Sequence, residues 1–153
     1  MDLSSIEFPL VLGRLLGALR AEAGVTQRAF SREVGMGQGT LAWIEAGRSN
    51  AYAAQLLLIE RGLITHGVLT RPGQVFELLN RTLLDLGLRG VTVTNGRVAS
   101  LSGRDDVAAL DRIVGGVVQR FLDSDLPVMM TSDVAAEVYV ALSKGNVTGR
   151  GRG

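Results

Sequence analysis

The side chains that could do chemistry are few, and the densest group lies between Val25 and Arg48. There Gly37, Gln38, Gly39 and Thr40 bring small and polar groups to what reads as the start of a short helix. Leu41 and Ile44 follow at the spacing of buried anchors. A helix that is polar at its head and apolar at its back suits docking on a surface held from behind. The rest of the chain offers little bond-making chemistry. His66 is the single histidine. Asp105-Asp106 and Asp123-Ser124-Asp125 read as a helix cap and a turn, because short carboxylates bond nearby backbone N–H groups. No Ser/His/Asp grouping, phosphate loop or metal-ligand cluster stands out. No catalytic residue, cofactor or metal is expected, and the chain does not read as an enzyme.

Composition sets the frame for that docking helix. The 153 residues suffice for one domain, or two small ones sharing a core. Hydrophobic residues make up 46% of them, too many for disorder over most of the length. The formal net charge is only +1, so bulk charge gives no pointer to nucleic acid and a local basic face would have to supply one. The absence of cysteine rules out disulfides and thiolate metal sites and fits a reducing cytoplasm. Met1 to Ser5 carries no basic leader, so no signal peptide is expected. No apolar run approaches the ~18 residues of a membrane span. The expected setting is cytoplasmic, with no membrane partner.

Several short helices position the polar stretch. Leu12, Leu15, Leu16 and Leu19 fall at i, i+3, i+4 and i+7, one face of an amphipathic helix over residues 8–23 that Gly24 ends. Thr26 offers an N-cap for a helix from Gln27 to Val34, with Ala29, Phe30 and Val34 facing inward. Gly35 makes the turn in a left-handed conformation. The next helix starts at Gly37 or Gln38, runs to Ala46 and stops at Gly47. A fourth spans Tyr52 to Leu63, with Leu56, Ile59 and Leu63 as its core stripe.

Short helices joined by tight glycine turns at this spacing resemble the helix-turn-helix domain of the lambda-repressor/Cro-like (XRE) family. The resemblance covers roughly residues 10–65. It rests on Arg20 four residues before a glycine, Gln27 opening the second helix, Phe30 and Val34 behind it, and Gly35 at the turn. Leu41 and Ile44 anchor the third helix, and Glu45-Ala46-Gly47-Arg48 closes it with the family's ending. One departure is the loop before the fourth helix, where Asn50-Ala51-Tyr52 replaces the usual proline. The family implies sequence-specific binding of double-stranded DNA, usually as a dimer on a two-fold site.

That resemblance assigns roles. Gly37, Gln38, Gly39, Thr40 and Trp43 would take the outward, base-facing positions. Gln38 can bond adenine bidentately, and Thr40 can bond a base or phosphate or touch a thymine methyl. Trp43 could pack on sugar or on thymine methyls. Gly39 has no side chain to read with and costs its helix about 1 kcal/mol relative to Ala, which points to close backbone approach or a bent helix start. Gln27, Arg28, Arg48, Ser49 and Asn50 would hold phosphates. Arg20 and Glu45 would form a structural ion pair tying the first helix to the third. Arg14 reads as plain surface.

The second half changes pattern. Pro72 fits the first turn of a helix over residues 74–86 that Gly87 ends. From Gly90 to Leu101, alternating β-branched residues meet at Asn95-Gly96, the signature of a hairpin in which Val93 faces Val98. A helix beginning at Asp105-Asp106 follows, broad and apolar, interrupted by Gly115-Gly116. Ser132 caps a last helix, and residues 145–153 read as a flexible glycine- and arginine-rich tail.

The expected fold is mainly α (α+β). A lambda-repressor-like helix-turn-helix domain over 8–66 precedes a helix/β-hairpin/helix dimerisation domain over 67–144, then the tail. The expected function is a homodimeric regulator, repressor or activator, of bacterial or phage type, reading a two-fold operator on double-stranded DNA. The alternative is an antitoxin or other interaction module whose C-terminal half binds a partner protein.

Overall fold

The computed structural model describes residues 3–95 and 104–124. In chain order these form β1 (Ser5–Glu7), α1 (Phe8–Glu22), α2 (Gln27–Val34), α3 (Gln38–Glu45), α4 (Ala53–Thr65), α5 (Gln74–Leu88), β2 (Thr92–Thr94) and α6 (Arg104–Leu122). The fold is mostly helical, with one small two-stranded sheet among the described residues.

The N-terminal helices start and stop for local reasons. Pro9 sits in the first turn of α1, where its missing N–H costs nothing. Leu12, Leu15, Leu16 and Leu19 are all buried, as is Val11 beside them. Thr26 accepts a hydrogen bond from the Ala29 N–H at 3.1 Å, capping α2. Gly35 then turns left-handed at φ 73°. The Met36 N–H reaches the Ser31 carbonyl at 2.8 Å and the Gly35 N–H reaches that of Arg32 at 3.3 Å, the two bonds of a Schellman closure. Gly47 repeats the device after α3: Arg48 donates to Trp43 at 2.8 Å and Gly47 to Ile44 at 3.0 Å.

Two other glycines allow helices to cross closely. A Cβ on Gly13 would collide with the Ile44 carbonyl, so α1 and α3 touch backbone to backbone there. A Cβ on Gly62 would lie 2.5 Å from Val34 and 2.8 Å from Phe30, so α4 lies tight against α2. Phe30 itself is fully buried, a contribution of about 1.5–3 kcal/mol for a side chain of that size. Ala29 is exposed and Ser31 is buried in its place, its hydroxyl donating to the Arg28 carbonyl at 2.9 Å. At about 100° per residue, Ser31 falls nearer the Phe30–Val34 stripe than Ala29 does, roughly 80° from its centre against roughly 120°.

Beyond α4 the elements shift from their expected bounds. α4 begins one residue after Tyr52, whose N–H donates to the Gln55 side chain at 2.8 Å, and runs on to Thr65. Pro72 lies just ahead of α5, because Gly73 is the N-cap. The start of α5 is capped from elsewhere: the buried Glu60 carboxylate on α4 accepts from the Gly73 N–H at 2.9 Å and the Val75 N–H at 3.1 Å. Gly87 does not end α5, which continues to Leu88 and turns at Gly90. One interior glycine costs only about 1 kcal/mol, too little to stop a helix packed along its length.

The strand expected around Val93 exists, with a partner that sequence did not indicate. β2 pairs in parallel with β1, Ile6 opposite Val93. The other arm of the expected hairpin, at residues 97–101, lies outside the described residues, as do the helix from Ser132 and the tail at 145–153. Gly115 and Gly116 leave α6 unbroken, and Gly115 faces open space. Leu110, Val114, Val117 and Val118 bury the other side of α6. One continuous apolar core runs from Ile6 through α1 to α6, so the back of α1 is shared by both halves of the chain.

Candidate nucleic-acid interface

The start of α3 is laid open. Gly37, Gln38, Gly39 and Thr40 are exposed, while Leu41 and Ile44 on the opposite side are buried. Among the described residues, the Gln38 and Thr40 side chains make no hydrogen bond to the protein, so their donors and acceptors face outward unspent. Trp43, one turn later on the same side, is 56% exposed. An indole left this open in a domain that buries Phe30, Leu41 and Ile44 is not part of the apolar core. Nothing within 4 Å blocks a Cβ on Gly39, and α3 is regular there, so that glycine marks an open backbone and no bend.

Arg48 extends this face. Its guanidinium stands 5.9 Å from the Trp43 ring centroid, a cation–π contact that aligns both groups. The Schellman turn at Gly47 brings them together, since it folds the Arg48 N–H back onto the Trp43 carbonyl. Arg28 and Asn50 are exposed and Ser49 is half-buried. The Arg28 guanidinium has no protein partner among the described residues.

Gln27 is placed differently from a phosphate ligand. Its amide turns inward and donates to Glu45 Oε1 at 3.0 Å. The same carboxylate receives Arg20, Nε to Oε2 at 2.8 Å and Nη2 to Oε1 at 2.9 Å. Arg20 Nη1 also donates to the Val25 carbonyl at 2.7 Å. The Glu45 side chain is only 7% exposed. This network ties α1, α2 and the end of α3 together, so the outward face of α3 is fixed from behind by charge as well as by Leu41 and Ile44. What Gln27 can still offer outward is its backbone N–H, one of the free donors at the start of α2.

Two further side-chain contacts, one of them an ion pair, hold the frame, and the sequence does not announce them. Arg14, expected to be plain surface, bonds Asp111 on α6 through two nitrogens at 2.6 and 2.7 Å. His66 Nε2 meets Glu33 at 2.5 Å, joining the end of α4 to α2. No spacing in the sequence announces such pairs, which depend on helices distant along the chain. Among the described residues no group of side chains could hold a metal ion, and no helix is long and apolar enough to cross a membrane.

A capped helix, a left-handed glycine turn and a second helix anchored from behind with its polar start exposed define a helix-turn-helix unit. Comparison with protein families agrees: the model of a helix-turn-helix domain matches residues 11–70. This part of the chain is a helix-turn-helix domain, the kind of domain through which regulators bind DNA. No curated protein and no solved structure matches the chain.

Proposed function

We propose that the protein is a sequence-specific, double-stranded-DNA-binding transcriptional regulator that acts in the cytoplasm as a homodimer on a two-fold operator. The observation that carries this reading is the outward, unpaired presentation of Gln38 and Thr40 beside exposed Trp43 on a helix locked from behind. Such a helix can enter a major groove and offer donors and acceptors to base edges. Arg28 and Arg48 flank it as phosphate contacts, joined by Ser49, Asn50 and the backbone N–H of Gln27. Binding, with no bond-making step, is its whole activity in this reading.

Residues 67–144 are proposed as the dimerisation part. Support comes from two large apolar side chains left exposed on α5, Phe76 and Leu88. The same exposure keeps a partner-protein reading, such as an antitoxin, as the second possibility. Selection of bound duplexes from a random DNA pool tests the main reading. A recovered inverted repeat with fixed spacing is the expected result. Recovery of no enriched sequence would overturn it, and a stoichiometric protein co-purifying with the chain would favour the second.

A further inference from the structure

A cavity of about 610 Å³ opens on the side of the molecule formed by the chain start, the α5–β2 turn and α6. Its walls are of two kinds. Leu3, Val91 and Ile113 supply apolar surface, with Val91 and Ile113 themselves largely buried. Arg89 and Arg112 supply two guanidinium groups, and no carboxylate lines the cavity among the described residues. The Arg112 guanidinium makes no hydrogen bond or ion pair among the described residues. Arg89 reaches Asp85 only through Nε at a long 3.4 Å, which leaves its terminal nitrogens available.

An unpaired guanidinium costs little in open water, so one arginine alone would mean nothing. Two of them on one concave, partly apolar surface, Arg112 with no acidic partner among the described residues and Arg89 with only the long contact to Asp85, form a charge pattern that an anion completes. The volume lies within the usual range for small-molecule sites, roughly 300–1,000 Å³. We propose that this cavity is a binding site for a small organic anion, a carboxylate with an apolar body. The carboxylate bonds Arg112 and Arg89, and the body lies against Leu3, Val91 and Ile113. Arg112 directly follows Asp111, whose carboxylate holds Arg14 on α1. The ligand and the brace behind the helix-turn-helix domain therefore engage neighbouring residues of one helix.

Octanoate is a suitable probe, titrated calorimetrically into the full-length protein with no DNA present, so the outcome is independent of the DNA-binding reading. Saturable one-to-one binding is expected. Octylamine, with the same body and opposite charge, and inorganic phosphate, with charge and no body, should both bind roughly tenfold or more weakly. Arg112→Gln and Arg89→Gln should each weaken octanoate by about tenfold. Both arginines lie on the surface, and unchanged circular dichroism would confirm the fold of each variant. No saturable octanoate binding, equal binding of octylamine or phosphate, or unaltered octanoate affinity in both variants would each overturn the proposal.

Discussion

Arg14 on α1 and Asp111 on α6 are joined by two parallel hydrogen bonds, at 2.6 and 2.7 Å, across 97 residues of sequence. The pair locks the two halves of the chain at a point directly behind the helix-turn-helix domain. Its side chains are 37% and 40% exposed, so solvent screening limits its worth to about 1 kcal/mol despite good geometry. Hydrogen bonding to Asp111 raises the Arg14 pKa above its ordinary value, against an opposing effect of burial and with further help from the charges of Asp111 and Glu45. A raised folded-state pKa gives stability that is complete below the unfolded pKa and is lost only as pH rises through the folded one. That window lies above the range in which proteins are handled, so Arg14 adds no pH dependence near neutrality. A double-mutant cycle of Arg14→Ala and Asp111→Ala, read by urea denaturation, should give a coupling of about 0.5–1 kcal/mol that shrinks in high salt. A coupling indistinguishable from zero at low salt would remove the pair as a brace.

The pair behind α3 should behave differently because it is buried. Glu45 accepts three side-chain hydrogen bonds, two from Arg20 and one from Gln27. Glu45→Ala strands the Arg20 guanidinium where little water reaches it, and should cost roughly 3–5 kcal/mol. Gln27→Ala removes one bond of the three and should cost about 1.5–3 kcal/mol. Thermal melts of the two variants should therefore rank Glu45→Ala well below Gln27→Ala. The reverse order would mean that Gln27 serves chiefly outside this network.

Features set by local chemistry are legible in the sequence, and pairings between distant segments are not. Leu12 to Leu19, Thr26, Gly35 and Gly47 announced their elements because caps, turns and helical periodicity are local chemistry. Gln38 and Thr40 were legible as polar residues at a helix start, and Leu41 and Ile44 as the anchors behind. The β1–β2 pairing was not legible, since three residues at Ser5–Glu7 carry no strand signal and their partner lies 87 residues away, from Ile6 to Val93. For the same reason Arg14 reads as surface, since its partner Asp111 lies on α6, 97 residues away. The Gln27 amide misled in another way: an N-terminal glutamine can face a phosphate or its own core, and only the position of Glu45 decides.

Gly35 and Gly47 share a left-handed backbone and differ in their surroundings. A Cβ on Gly35 would meet nothing within 4 Å, so Gly35→Ala should cost only the conformational term, about 1–2 kcal/mol. A Cβ on Gly47 would lie 2.6 Å from the Leu10 Cα, a backbone atom that cannot move aside cheaply. Gly47→Ala should add roughly 1–3 kcal/mol of overpacking to the same term. Equal losses in denaturant midpoint for the two variants would argue against the close approach of α1 to the turn. Because that turn also sets Arg48 over Trp43, Gly47→Ala should perturb the outer face of α3 as well.

The outer face offers the sharpest test of how DNA would be read. Gln38 and Thr40 reach outward without protein partners, so truncating either should leave stability within about 0.5 kcal/mol of the parent. On the selected operator, Gln38→Ala should weaken binding by about 1–3 kcal/mol, while binding to random duplex changes little. Arg48→Ala should act oppositely: both duplexes lose affinity, and the slope of log K against log salt flattens by about one unit. Trp43→Ala separates two possibilities through Arg48. If the indole chiefly holds the guanidinium in place, its loss should mimic Arg48→Ala on random DNA. If it packs on thymine methyls, the loss should fall on the operator alone, and fluorescence quenching of this single tryptophan on operator addition should accompany it. Gel-shift titrations of the three variants on both duplexes across a salt series distinguish these outcomes. Equal losses on operator and random DNA for Gln38→Ala would show that the helix does not read bases through that residue.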